Sequence, residues 1–157
     1  MTERPRFVYV TYIHATAERV WQGLTDGDFT ARYWGGLRVT SDWLPGSEVR
    51  HLRADGAAAL VGEILEADFP TRLSYTFHMQ ISEETRAEPP SRLTFELQAL
   101  ETVTKLTLTH EHAAPGATFS NTSNGWPALM SSMKSLLETG EPLPFTRLGF
   151  GPDRKTL

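Results

Sequence analysis

Two periodicities divide this chain. In its middle, apolar residues recur at every second position: Leu73, Tyr75, Phe77 and Met79 alternate with Ser74, Thr76, His78 and Gln80. That is the pattern of a strand with one buried face. Leu93, Phe95, Leu97 and Ala99 repeat it, and then Leu106, Leu108, His110 and His112. Upstream, Leu37–Trp43, Glu48–Arg53 and Ala59–Ala67 read as strands, separated by turn residues at Pro45-Gly46 and Asp55-Gly56. Phe69-Pro70 interrupts the run, and Ser82–Ser91, acidic and containing Pro89-Pro90, reads as an exposed loop. Phe7–Ile13 is β-rich with apolar or aromatic residues on both faces. Between that first strand and the meander, Thr16 can cap a short helix with Ala17, Val20, Trp21 and Leu24 on one side. Thr25 or Asp26 begins a second short helix through Tyr33-Trp34, closed by Gly35-Gly36.

The other period is helical. Trp126, Leu129, Met130, Met133, Leu136 and Leu137 form one apolar stripe, with Ser, Lys and Glu opposite. Gly140 can take the left-handed residue that closes the last turn, and Pro142 stops any continuation. Asn121, Ser123 and Asn124 are all competent caps, and Pro127 fits best in a first turn, so the helix is expected to start near Asn124. An earlier start would place Pro127 inside the helix. The order is one strand, two small helices, a meander of about six strands and a long helix. Such a chain buries both apolar faces by curving the sheet and laying the helix in its concavity, which often leaves a pocket between them.

The 157 residues make one ordinary domain, with a core expected over about 7–142 and a Pro/Gly-punctuated tail over 143–157. Hydrophobic residues are 39% and charged residues 22%, the balance of a globular protein. Net charge is −4 with the signs interleaved, so no basic stripe suits nucleic acid. The chain has no cysteine, which excludes disulfides, zinc–thiolate sites, iron–sulfur clusters and a thiol nucleophile. Neither a signal-peptide core nor a membrane-spanning apolar run is present, so a cytoplasmic location is the expectation.

Several segments together carry a family resemblance: Phe7–Ile13, Val20–Asp26, Arg72–Phe77, Leu106–Glu111 and Gly125–Pro142. In that order they resemble the family of homologues of the activator of the heat-shock-protein-90 ATPase. That family belongs to the START-related, birch-pollen-allergen-like superfamily with the helix-grip fold. The resemblance spans about Phe7 to Pro142. It implies an α+β fold: a curved seven-stranded antiparallel sheet, two short helices after strand 1, and a long C-terminal helix over a cavity. It implies less about activity, because lipid and hormone binders, polyketide cyclases and co-chaperones share the scaffold. The family's eponymous co-chaperone also carries a separate N-terminal domain for which this chain has no room.

Local chemistry favours binding over catalysis. His110 and His112 lie at i, i+2 on one strand face and could meet a metal with His51 or Glu63, but the ligand set is incomplete and lacks motif spacing. The better reading makes His110 a structural or cavity-facing polar group at the cavity end of the strand face, with His112 near its solvent end. Glu111 points the other way, and Glu63 is expected outward because buried Glu is rare. No Gly-x-Ser-x-Gly elbow, Ser–His–Asp pattern or phosphate loop occurs. Val20, Trp21, Leu93, Leu97, Leu106 and Leu136 are assigned to the core. Trp34, Tyr75, Phe77, Met79, His110, Trp126, Met130 and Met133 are assigned to the pocket, with Trp43 and Phe95 as further aromatic candidates. The expected function is non-catalytic binding of a small apolar or amphipathic molecule, with no metal and no cofactor. The alternatives are co-chaperone-like binding of a chaperone, or a cyclase- or hydrolase-type enzyme using the same cavity.

Overall fold

The computed structural model describes residues 4–144; the first three residues and most of the expected tail, from 145 onward, lie outside the described residues. Strand β1 (Arg6–Ile13) leads into helices α1 (Ala17–Thr25) and α2 (Gly27–Tyr33). The Thr16 hydroxyl accepts from the Arg19 amide to cap α1, and the Asp26 carboxylate accepts from the Asp28 amide to cap α2. Strands β2 (Arg38–Ser41), β3 (Glu48–Leu52), β4 (Ala58–Asp68) and β5 (Arg72–Met79) follow. A short helix α3 (Glu83–Ala87) precedes β6 (Ser91–Leu100), β7 (Val103–Glu111) and the long helix α4 (Ala117–Thr139).

All seven strands form one antiparallel sheet in the order β1-β7-β6-β5-β4-β3-β2. The meander pairs each strand with its chain neighbour, and β1 returns to the far edge beside β7. Pairing slips between Ile64 and Glu66, where β4 bulges against β5. Gly62 is needed near there, since a Cβ on it would sit 1.7 Å from the Thr76 carbonyl oxygen. Alternation then sorts the faces. Leu73, Tyr75, Phe77 and Met79 of β5, Leu93, Phe95 and Leu97 of β6, and Leu106, Leu108 and His110 of β7 are all buried. Helix α4 lies across this face with Trp126, Leu129, Met130, Met133 and Leu136 buried beneath it. The fold is the expected helix-grip arrangement.

Two elements differ from the sequence reading. Helix α4 begins at Ala117, seven residues before Asn124, and carries Pro127 in its interior. Before Trp126 it buries Thr118, Thr122 and Gly125, small or polar residues that add nothing to an apolar stripe. Its N-cap, Gly116, has no side chain to offer, and the cap comes from elsewhere. Glu88 Oε2 accepts from the Ala117 amide at 2.8 Å, and Oε1 accepts from the Thr118 amide at 3.1 Å and the Thr118 hydroxyl at 2.6 Å. Ser82–Ser91 is likewise not all loop, because Ser82 and Thr85 form a reciprocal cap that starts α3.

Candidate ligand-binding interior

Rings pack between α4 and the sheet. Trp126, on the sheet-facing side of α4, lies 6.0 Å from Phe77, 6.3 Å from Phe95 and 5.5 Å from Trp34, measured between ring centroids. Trp34, at the end of α2, in turn lies 4.3 Å from His51 of β3. The Tyr75 ring plane lies within 9° of parallel to that of His51, with centroids 6.5 Å apart, and the ring is 6.5 Å from Phe95. Met79 lies two strands from His51, in the register row His51–Leu60–Met79. Met130 and Met133 occupy the next turns of α4 and are fully buried. All eight residues assigned to a pocket are buried, and Trp34, Tyr75, Phe77, His110 and Trp126 belong to one ring cluster that Tyr75 joins through His51 and Phe95. None of the eight borders the groove of about 960 Å³ lined by Arg4, Arg6, Arg92, Glu111, His112 and Phe119 among others. Trp43 is only half-buried and borders a separate surface hollow beside Phe69.

His110 is held in one tautomer. The Trp126 indole N–H can only donate, and it does so to His110 Nδ1 at 3.0 Å. The neutral imidazole must then carry its proton on Nε2, which donates to Ser91 Oγ at 2.7 Å, and the Ser91 hydroxyl donates onward to the Phe77 carbonyl at 3.0 Å. Burial, with repulsion from His112 added, pushes the His110 pKa well below its ordinary value. Both nitrogens are thus engaged and neither is open to a metal. Ser91 faces an N–H rather than a lone pair, so the pair is not a nucleophile activated by a base. His110 anchors α4 to β7 through Trp126.

The remaining candidates sort quickly. His112 is buried rather than solvent-facing, its ring 4.1 Å from that of His110 and 5.0 Å from that of Phe119. Burial holds its pKa at about 4, against the opposing pull of Glu88. Glu63 and Glu111 are exposed. Among the described residues no three His, Asp or Glu side chains converge as a metal site.

Sequence reasoning undervalued His51, weighing it only as a third metal ligand. It is 2% exposed, and neither ring nitrogen has a hydrogen-bond partner. Burial lowers its pKa to about 3, so it is neutral at physiological pH. The signal lay in the alternation of β3, where Glu48 and Arg50 face out and Val49 and His51 face in. Nearby, the Tyr33 hydroxyl donates to the Gly23 carbonyl at 2.8 Å, and burial raises the pKa values of both Tyr33 and Tyr75. No Asp, Glu, Lys or Arg is buried among the described residues.

A single antiparallel sheet gripping one long helix over a ring-lined, uncharged interior defines the helix-grip class. Within it, residues 14–138 match the model of the "Activator of Hsp90 ATPase homolog 1-like protein" family, and the chain belongs to that family. No curated protein matches it in sequence. Solved structures share the fold at low identity. CalU16 from Micromonospora echinospora superposes with a TM-score of 0.68 at 17% identity, over 87% of this chain and 78% of the other. An Aha1 dimer from Colwellia psychrerythraea gives 0.68 at 19% identity, over 87% and 98%. An HSP90 activator from Plasmodium falciparum gives 0.63 at 22% identity, over 77% and 86%. Among the described residues, no helix is long and apolar enough to cross a membrane.

Proposed function

We propose that this protein binds a small apolar or amphipathic molecule between α4 and the sheet, without catalysing a reaction on it. The observation that carries this reading is the interior itself: aromatic walls from Trp34, Tyr75, Phe77 and Trp126, and three buried methionines, Met79, Met130 and Met133. Methionine has three rotatable bonds and a polarisable sulfur, so it re-packs around a guest at low cost. The walls make room by methionine rearrangement, and the rings supply contact area. Chemistry is disfavoured because the Ser91–His110 contact in the interior has the wrong tautomer for nucleophile activation.

The test is uptake of an environment-sensitive dye or a fatty acid. Occupancy should raise the melting temperature through linkage, and Met130→Trp should weaken uptake while the protein still folds. If Met130→Trp instead overpacks, destabilising by about 1–3 kcal/mol with no uptake to lose in the parent protein, the binding reading is wrong.

One observation favours a second reading, contact with a protein partner. Val8, Val10 and Tyr12 stand 48%, 44% and 51% exposed in a row on the edge strand β1. The family name points to a chaperone as that partner. Val10→Glu should abolish binding to the 90-kDa heat-shock chaperone of the same host under this reading, and should leave dye uptake unchanged.

A further inference from the structure

We propose that His51 is the polar recognition group of this interior, and that the guest is an uncharged aromatic molecule carrying a hydroxyl or carbonyl group. This rests on the ligand-binding reading above. Two histidines face the same interior and differ in one respect. His110 has a partner on each nitrogen, Trp126 on one and Ser91 on the other. His51 is equally enclosed and has none on either. A neutral imidazole offers one donor and one acceptor, and leaving both buried without partners is costly. Native interiors rarely tolerate such a pair unless something else meets it.

The surroundings define what meets it. Trp34 packs on the His51 ring at 4.3 Å, and the Tyr75 ring lies parallel to it at 6.5 Å, so a flat ring would find aromatic neighbours beside the imidazole. A hydroxyl both donates and accepts, and a carbonyl accepts from the imidazole N–H, so either satisfies at least one of the two orphan atoms. An ionised guest fits poorly: with no Asp, Glu, Lys or Arg buried among the described residues and the buried histidines neutral, its charge would lose its water and gain no counter-charge. Buried water is the competing occupant, and it would confer no preference among guests.

Three matched probes test this on the full chain: naphthalene, 2-naphthol and 2-naphthoate, titrated by calorimetry. The parent protein should bind 2-naphthol about tenfold more tightly than naphthalene, the scale of one net hydrogen bond, and should bind 2-naphthoate most weakly. His51→Leu should erase the hydroxyl preference to within twofold while naphthalene affinity is kept. His51→Gln, whose amide both donates and accepts, should retain much of the preference and serves if the leucine variant does not fold. A hydroxyl preference that survives in both variants overturns the role of His51. Naphthalene uptake with no hydroxyl preference in the parent protein also overturns it, while the ligand-binding reading stands. Failure to bind any of the three overturns both.

Discussion

His51, His110 and His112 are buried and held neutral, each with a pKa below the ordinary histidine value. The consequence for stability has a definite sign. Between the folded and unfolded pKa values the unfolded chain binds the proton and the folded one does not, so stability rises with pH across that window. The contribution is complete above about pH 6.5, the unfolded value, and is lost as pH falls toward the folded values. His51 alone, with a folded value of about 3, should cost about 2 kcal/mol on going from pH 7 to pH 5. Urea unfolding at those two pH values checks this. His51→Leu should flatten the dependence by about that amount, and an unchanged slope would show that the ring is already solvated. That same residue marks a limit of sequence reading. Alternation in β3 places His51 inside, but whether a buried imidazole finds a partner depends on side chains from other elements. His110 gains Trp126 from α4 and Ser91 from β6, and nothing in the strand pattern tells the two histidines apart.

At the level of elements, the start of α4 depends on a residue far away in the chain. Burial works against the charged form of Glu88, but hydrogen bonds from the Thr118 hydroxyl and from the Thr118 and Ala117 amides, with His112 nearby, hold its carboxyl below the usual range. Glu88→Ala should remove the cap at a cost of about 1 kcal/mol. Hydrogen exchange should quicken at Ala117–Asn121 and stay unchanged at Leu129–Leu136. Gly116→Ala should act in the same direction, because its Cβ would fall 2.0 Å from Glu88 Oε2. Uniform loss of protection along α4 would contradict the cap. Local chemistry pointed to Asn124 because Pro127 and the apolar stripe both lie beyond it. The turns before it are held by Glu88 and by small buried residues, signals that a hydrophobic period does not contain. The opposite end of α4 is tied just as non-locally: Lys134 Nζ donates to the Tyr12 carbonyl at 2.9 Å, and Glu138 Oε2 accepts from the His14 amide at 2.7 Å. These contacts occupy backbone groups at one end of the exposed β1 edge, which limits the length of strand a partner could pair with.

At the scale of the whole molecule, the sequence carried the architecture well. Strand alternation, the capped short helices and the amphipathic C-terminal stripe agree on one fold, and each was visible locally. The division between core and pocket was not visible, because both are apolar stripes on the same elements: Phe95, Leu97, Tyr75 and Phe77 line one continuous face. The eight assigned residues are all buried, Trp126, Met130 and Met133 on α4 itself and the other five at the end of α2 and on the sheet. Whether they yield to a guest is a property of the interior as a whole, and its methionines report on it. Three of the four, Met79, Met130 and Met133, lie in that interior. The most direct measurement is therefore nuclear magnetic resonance of isotope-labelled methionine methyl groups during titration with 2-naphthol. A guest between α4 and the sheet should shift the methyl signals of Met79, Met130 and Met133 together, saturating at one equivalent. Interior methyl signals that stay fixed at saturating probe, or shifts confined to residues around Val8, Val10 and Tyr12, would contradict the account.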